Sequence, residues 1–123
     1  MTASTRNIIA WILQVLTALA FIGSGANKFL HLSDTVSMFG SLGIPAWLTY
    51  LVATGEVLGG IGLLIPGLVR LAALGLLPII IGAVYMHATK ILGGLAKGVP
   101  AIVLLIFLLL ILALRRPAPV RAT

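Results

Sequence analysis

Glu56 is the single glutamate of the sequence, and it stands inside an otherwise apolar, glycine-laced run, Ala53-Thr54-Gly55-Glu56-Val57-Leu58-Gly59-Gly60-Ile61-Gly62. An ionised carboxylate in the apolar part of a bilayer costs several kcal/mol, so this group must be neutral, hydrogen-bonded or matched to a cation from another helix. Such a carboxyl can fix helix packing, take part in ligand binding or proton handling, or act as a general acid or base. Lys28 is the cation to weigh against it. If both helices start at the interface and run upright, Glu56 lies roughly 13 Å above one end and Lys28 roughly 30 Å above it. A direct pair then requires tilt, a register offset or inward reach of the lysine stem. Gln14 and Thr17 sit nearer the depth of the glutamate and offer it hydrogen bonds instead.

The remaining polar groups are grouped. Gln14, Thr17, Phe21, Ser24, Lys28 and His31 follow alternating steps of three and four, with Asn27 beside them, and form one stripe on one helical face. Facing lipid this stripe would be costly, so it faces other helices or a small cavity. Tyr50, Tyr85 and His87 come to the same side of the membrane as His31. The candidate ligand pocket is therefore Glu56, Lys28, Asn27, Ser24, His31, Tyr50, Tyr85 and His87, with no catalytic residue assigned. Each member also has a plainer reading: Lys28 as a lysine snorkelling to the interface, Asn27 as a helix-end hydrogen-bonder, the tyrosines as belt aromatics. His31 and His87 have no third ligand at a suitable spacing, so neither a metal nor a haem site is expected.

The composition says where this chemistry sits. The chain has 123 residues, 61% hydrophobic and 8% charged, with a mean hydropathy of +1.25. A soluble domain is about half apolar and a quarter charged, so this is an integral membrane protein. A span takes roughly 20 apolar residues, which gives a single domain, residues 1–123, of about four spans. The expectation is an all-α, left-handed-type four-helix transmembrane bundle with spans at 8–30, 46–65, 71–90 and 100–114. Residues 31–45 are too polar to cross; Ser33 or Asp34 can cap a short interfacial helix that stops at Gly43 and Pro45.

Trp47 and Tyr50 mark the entry of the second span, and Gly55-x-x-x-Gly59 is a spacing that lets membrane helices approach closely. Pro66-Gly67 closes it, and the short connection to Arg70 makes spans two and three antiparallel neighbours. Pro78 is expected to kink the third span. The fourth, opened by Pro100 after a loop over 93–98, has no polar residue from Ala101 to Leu114 and reads as a lipid-facing wall. Arg6 and the apolar run containing Ala18-Leu19-Ala20 resemble a signal peptide, but the run continues toward Leu30 and is read as the first span.

The net charge of +6 does not point to nucleic acid here. Arg6, Arg70, Arg115, Arg116 and Arg121 fall on one face, as topology and lipid-headgroup anchors, while Lys28, Lys90 and Lys97 fall on the other with Asp34. The positive-inside rule then places both termini in the cytoplasm of a multi-pass plasma-membrane protein. With no cysteine there is no disulfide or thiol relay, so the chain's own side chains are poor redox agents. Phosphate loops, activated nucleophiles and nucleotide fingerprints are lacking: Gly59-Gly60-Ile61-Gly62 lies in a span without the strand a dinucleotide motif needs.

Read together, Gly23-Ser24-Gly25-Ala26-Asn27-Lys28, Leu42-Gly43-Ile44-Pro45-Ala46-Trp47, Gly55-Glu56-Val57-Leu58-Gly59-Gly60, Arg70-Leu71-Ala72-Ala73-Leu74 and Tyr85-Met86-His87 resemble the DoxX-like family of small four-helix membrane proteins, over about residues 6–114. The resemblance implies a membrane protein associated with redox or sulfur metabolism. The reading it favours is a small redox-associated membrane subunit that holds a quinone or other lipophilic molecule in a polar intramembrane pocket. The alternatives are a membrane-embedded enzyme using Glu56 as general acid or base on an apolar substrate, and a ligand-free assembly factor. Besides the lipid bilayer and a lipophilic small molecule, a redox partner protein and a homo-oligomer are the partners these readings allow; no cofactor beyond a quinone is suggested.

Overall fold

A computed structural model describes residues 2–90 and 98–116. The described chain forms five α-helices: α1 (Ala3–Leu30), α2 (Leu32–Ser41), α3 (Ala46–Leu63), α4 (Val69–Thr89) and α5 (Val99–Leu114), with a single 3-10 turn at Pro66–Leu68 before α4. The expected loop over 93–97 and Arg121 lie outside the described residues. Three helical stretches, Ala3–Leu30, Ala46–Leu63 and Pro66–Thr89, are long and apolar enough to cross a membrane, and Val99–Leu114 is a shorter apolar helix. The chain is thus an all-α membrane bundle.

The four apolar helices α1, α3, α4 and α5 pack in a ring. α1 lies against α3, α3 against α4, α4 against α5, and α5 returns to α1, so α1 faces α4 only across the diagonal. Phe21 and Ala18 of α1, Leu63 of α3, Ala73, Leu76 and Ile80 of α4, and Leu108 and Ile111 of α5 form the buried centre. Large apolar side chains such as Ile12, Leu19, Leu58, Leu71 and Ile81 point outward and exposed. In water this would be an aggregation surface; in a bilayer it is the face that meets acyl chains. α5 is more than a wall: Ala101, Leu108 and Ile111 share one buried edge that closes the ring. Because every residue of that helix is apolar, its sequence carries no sign of which edge turns inward.

Two sets of glycines set the spacing. A Cβ on Gly25 would come within 2.7 Å of the Ala53 carbonyl oxygen, and one on Gly60 within 3.0 Å of the Ala18 carbonyl oxygen. These two contacts fix α1 and α3 as antiparallel neighbours with their backbones almost touching. The Gly55/Gly59 pair works on the other side of α3, where Gly59 faces Leu76 and Gly55 faces Ile79, both of α4. α4 runs unbroken through Pro78 from Val69 to Thr89.

α1 starts five residues before the expected boundary. Thr2 caps it, its hydroxyl accepting from the Thr5 backbone N–H at 3.0 Å. At about 1.5 Å per residue α1 is roughly 42 Å long and α3 roughly 27 Å, so with Gly60 beside Ala18 the first turns of α1 overhang the end of α3. α2 begins directly after His31, which caps it without a side-chain hydrogen bond; neither Ser33 nor Asp34 is the cap. It ends as expected. Gly43 adopts φ +87°, its N–H donates to Gly40 O and that of Ile44 to Phe39 O, the Schellman arrangement in which glycine is the residue without a Cβ penalty.

Candidate functional site

Glu56 is buried on the face of α3 that meets α1. Its Oε1 lies 2.7 Å from Lys28 Nζ, with side-chain exposures of 7% for the glutamate and 19% for the lysine. The same ammonium donates to Ser24 Oγ at 2.7 Å. The approach to Oε1 is close but off the hydrogen-bond direction, since that oxygen has no aligned donor. The contact is therefore an attraction between two charges, with the directed hydrogen bond going to the serine.

The pair forms despite the depth difference estimated from upright helices, and the reason is register. The glycine contacts put Gly25 beside Ala53 and Val57, so Lys28 is about one turn, roughly 6 Å, from the level of Glu56. Helical side chains lean toward their own N-terminus. In antiparallel neighbours that makes Lys28 lean back over Ser24 and Glu56 lean up toward it, and the two stems close the gap. The overhang of α1 is what the upright estimate lacked.

None of the other candidate side chains makes a hydrogen bond or ion pair with Lys28 or Glu56 among the described residues. Asn27 and His31 are exposed at the end of α1. Tyr50 and Tyr85 stand on the outer surface, 45% and 58% exposed. His87 is half-buried, with Nδ1 2.8 Å from the Ala83 carbonyl oxygen. A carbonyl only accepts, so Nδ1 is the donor in this contact. α2 is tied to the end of the site through Thr35, a buried residue whose hydroxyl donates to His31 O at 2.9 Å. Thr17 is fully buried, and its Oγ1 has no partner among the described residues.

Gln14 does not serve Glu56. Its Nε2 donates to Leu63 O at 2.8 Å, and its Oε1 accepts from Arg115 Nε at 2.7 Å. Arg115 also reaches Asn7 Oδ1 at 2.9 Å and lies 5.7 Å from the centroid of the Trp11 ring. This second polar cluster was not anticipated from the sequence. Asn7, Trp11 and Gln14 repeat the four-and-three step of the stripe toward the N-terminus, and that was the available signal. Groups of three or more metal-binding side chains are absent among the described residues.

Comparison with known proteins agrees with this architecture. The profile of the DoxX family matches residues 9–89. The chain belongs to the DoxX family. The DoxX match takes in both members of the Lys28–Glu56 pair and ends at the last residue of α4, leaving α5 and Arg115 outside it. A 50-residue stretch is 36% identical to a Bacillus subtilis (strain 168) protein named "Putative oxidoreductase CatD", covering 41% of this chain and 37% of that protein. The chain is thus matched over little more than a third of that relative's length. No solved structure is a significant match.

Proposed function

We propose that this DoxX-family protein is a small redox-associated membrane subunit that binds a lipophilic carbonyl compound, such as a quinone, beside the Lys28–Glu56 pair. The observation that carries the reading is the ammonium itself. Lys28 has three N–H donors, of which one goes to Ser24 while Glu56 lies against the ammonium without an aligned N–H, and the partly exposed end keeps a donor for a ligand carbonyl. Glu56 balances the charge, so a neutral ligand can be held without burying an excess cation. Tyr50, Tyr85, His87, Asn27 and His31 would flank the approach from the interface. The name of the Bacillus subtilis relative supports a redox setting, in which a protein without cysteine needs a redox-active small molecule.

The test is a quinone titration of the protein in mild detergent, read by quenching of its tryptophan fluorescence, with mass spectrometry of co-purifying lipids. Saturable quenching that is at least tenfold weaker in Glu56→Ala and Lys28→Met supports the reading. A protein that purifies bare and shows no saturable quenching overturns it.

The same reading places the chain in the plasma membrane with both termini in the cytoplasm, from the arginines at the termini end. Because the sequence has no cysteine, single cysteines at Ser37 and at Thr5 report sidedness cleanly. Ser37→Cys is expected to react with an impermeant maleimide from outside the cell and Thr5→Cys only after permeabilisation. The reverse pattern would invert the orientation.

A further inference from the structure

We infer that the cluster at the termini end of the bundle is a binding site for the phosphate of an anionic headgroup. A cavity of about 170 Å³ there is lined by Asn7, Trp11, Gln14, Pro66, Val69 and Arg115. Its volume is below the range of a drug-sized pocket and suits one small polar group.

The charge balance of the site calls for an anion. The sequence holds only two acidic residues, Asp34 and Glu56. Glu56 is engaged by Lys28, and Asp34 lies in α2, beyond the opposite end of α1. No acidic side chain of the chain is therefore left for Arg115. Its guanidinium is nevertheless held in place: Nε donates to Gln14 Oε1 at 2.7 Å and Nη1 to Asn7 Oδ1 at 2.9 Å. Gln14 is fully buried and anchored in turn on Leu63 O at 2.8 Å. Two neutral acceptors orient the fork and leave its charge uncompensated among the described residues. Of the five N–H groups, those on Nη2 have no acceptor among the described residues. A guanidinium fixed in this way matches the paired oxygens of a phosphate.

A second arginine supports the same region. Arg70 Nη1 donates to Leu112 O at 2.9 Å and Arg115 O at 3.2 Å, which ties the start of α4 to the end of α5 and holds the backbone of Arg115. Trp11, stacked near the guanidinium at 5.7 Å, is the residue type that sits at headgroup level. A basic pocket between spans at that level is the setting in which anionic lipid headgroups are held. A free phosphate offers the same chemistry, so the source is decided by measurement. The site is independent of the Lys28–Glu56 pair, since Lys28 lies about four turns beyond Gln14 along α1.

The test is thermal unfolding of the full chain in a neutral maltoside detergent at physiological salt, followed by tryptophan fluorescence. The probes are dihexanoyl-phosphatidylglycerol, dihexanoyl-phosphatidylcholine and inorganic phosphate. Phosphatidylglycerol is expected to raise the midpoint saturably. The apparent affinity should fall at least tenfold in Arg115→Gln and several-fold in Arg115→Lys, which keeps the charge but not the planar fork. Arg116→Gln, a change at an exposed neighbour, should leave it within twofold.

If Arg115→Gln does not fold, Asn7→Leu removes one support of the guanidinium without exposing Gln14, and a several-fold loss is expected there. Inorganic phosphate acting alone with the same dependence on Arg115 supports the phosphate site and assigns it to the free anion; action of phosphatidylglycerol alone assigns it to lipid. Equal shifts with phosphatidylcholine, whose own choline neutralises its phosphate, would overturn the proposal. So would equal losses in the Arg115 and Arg116 variants, which would mark a diffuse surface effect.

Discussion

Lys28→Met is expected to lower the stability of the folded bundle by about 3–5 kcal/mol, and Glu56→Gln by somewhat less, because breaking one side of a buried ion pair strands the other. The asymmetry follows from the surroundings. With the lysine gone, the Glu56 carboxylate, whose side chain is only 7% exposed, has no other ion-pair partner among the described residues; with the glutamate neutralised, Lys28, already 19% exposed, can turn its head toward the interface. The double variant removes both charges and should lie closer to the parent than the sum of the single losses, with a coupling of at least about 1 kcal/mol. The measurement is equilibrium unfolding in mixed micelles for the parent, both single variants and the double variant. Additive losses would show that the two groups, although 2.7 Å apart, do not depend on one another. The same series bears on function, since a lysine held by Glu56 and Ser24 is an oriented donor and a lysine turned to the interface is not.

The sequence made some of this legible and concealed the rest for identifiable reasons. Glu56 stood out because a carboxylate in an apolar span has to be explained, and the stripe from Gln14 to His31 showed which face of α1 turns inward. In the structure Gln14, Thr17 and Phe21 of that stripe are buried, and Lys28, which donates to Ser24, meets Glu56. What periodicity along one helix cannot supply is the axial offset between two helices. That offset is set by Gly25 and Gly60, residues without side chains to signal a partner. The Gly55/Gly59 spacing was visible, but the helix it would meet was not, and it meets α4. Depth alone makes Gln14 available to the glutamate, whereas the overhang of α1 carries it to the end of α3, where it meets Leu63 O and Arg115. A contact across 101 residues of sequence has no local signature. α5 remained featureless for a different reason, since a uniformly apolar helix shows no preference for any of its faces.

Gly25→Val is expected to cost about 3 kcal/mol or more, comparable with loss of the ion pair, and to remove the pairing with it. The new side chain would meet the Ala53 carbonyl oxygen 2.7 Å and the Val57 backbone nitrogen 3.1 Å from its first carbon. Backbone atoms in the middle of α3 cannot step aside as a side-chain tip can, so the two helices must separate. Gly25→Ala meets the same atoms with a single carbon and should fall at about 1–3 kcal/mol. Two residues earlier, a Cβ added to Gly23 would have nothing within 4 Å, and Gly23→Ala should be neutral or stabilising by up to about 1 kcal/mol through helix propensity. The contrast isolates close approach from any general intolerance of α1 to alanine. Separation of α1 from α3 also predicts a change in coupling: in a Gly25→Ala background the Lys28–Glu56 interaction energy should shrink, because the stems of the two side chains only just span the offset between their turns. The unfolding series repeated in that background measures it. An unchanged coupling, or equal stability of the Gly23 and Gly25 variants, would mean that α1 and α3 are held at their distance by something other than the glycine contact.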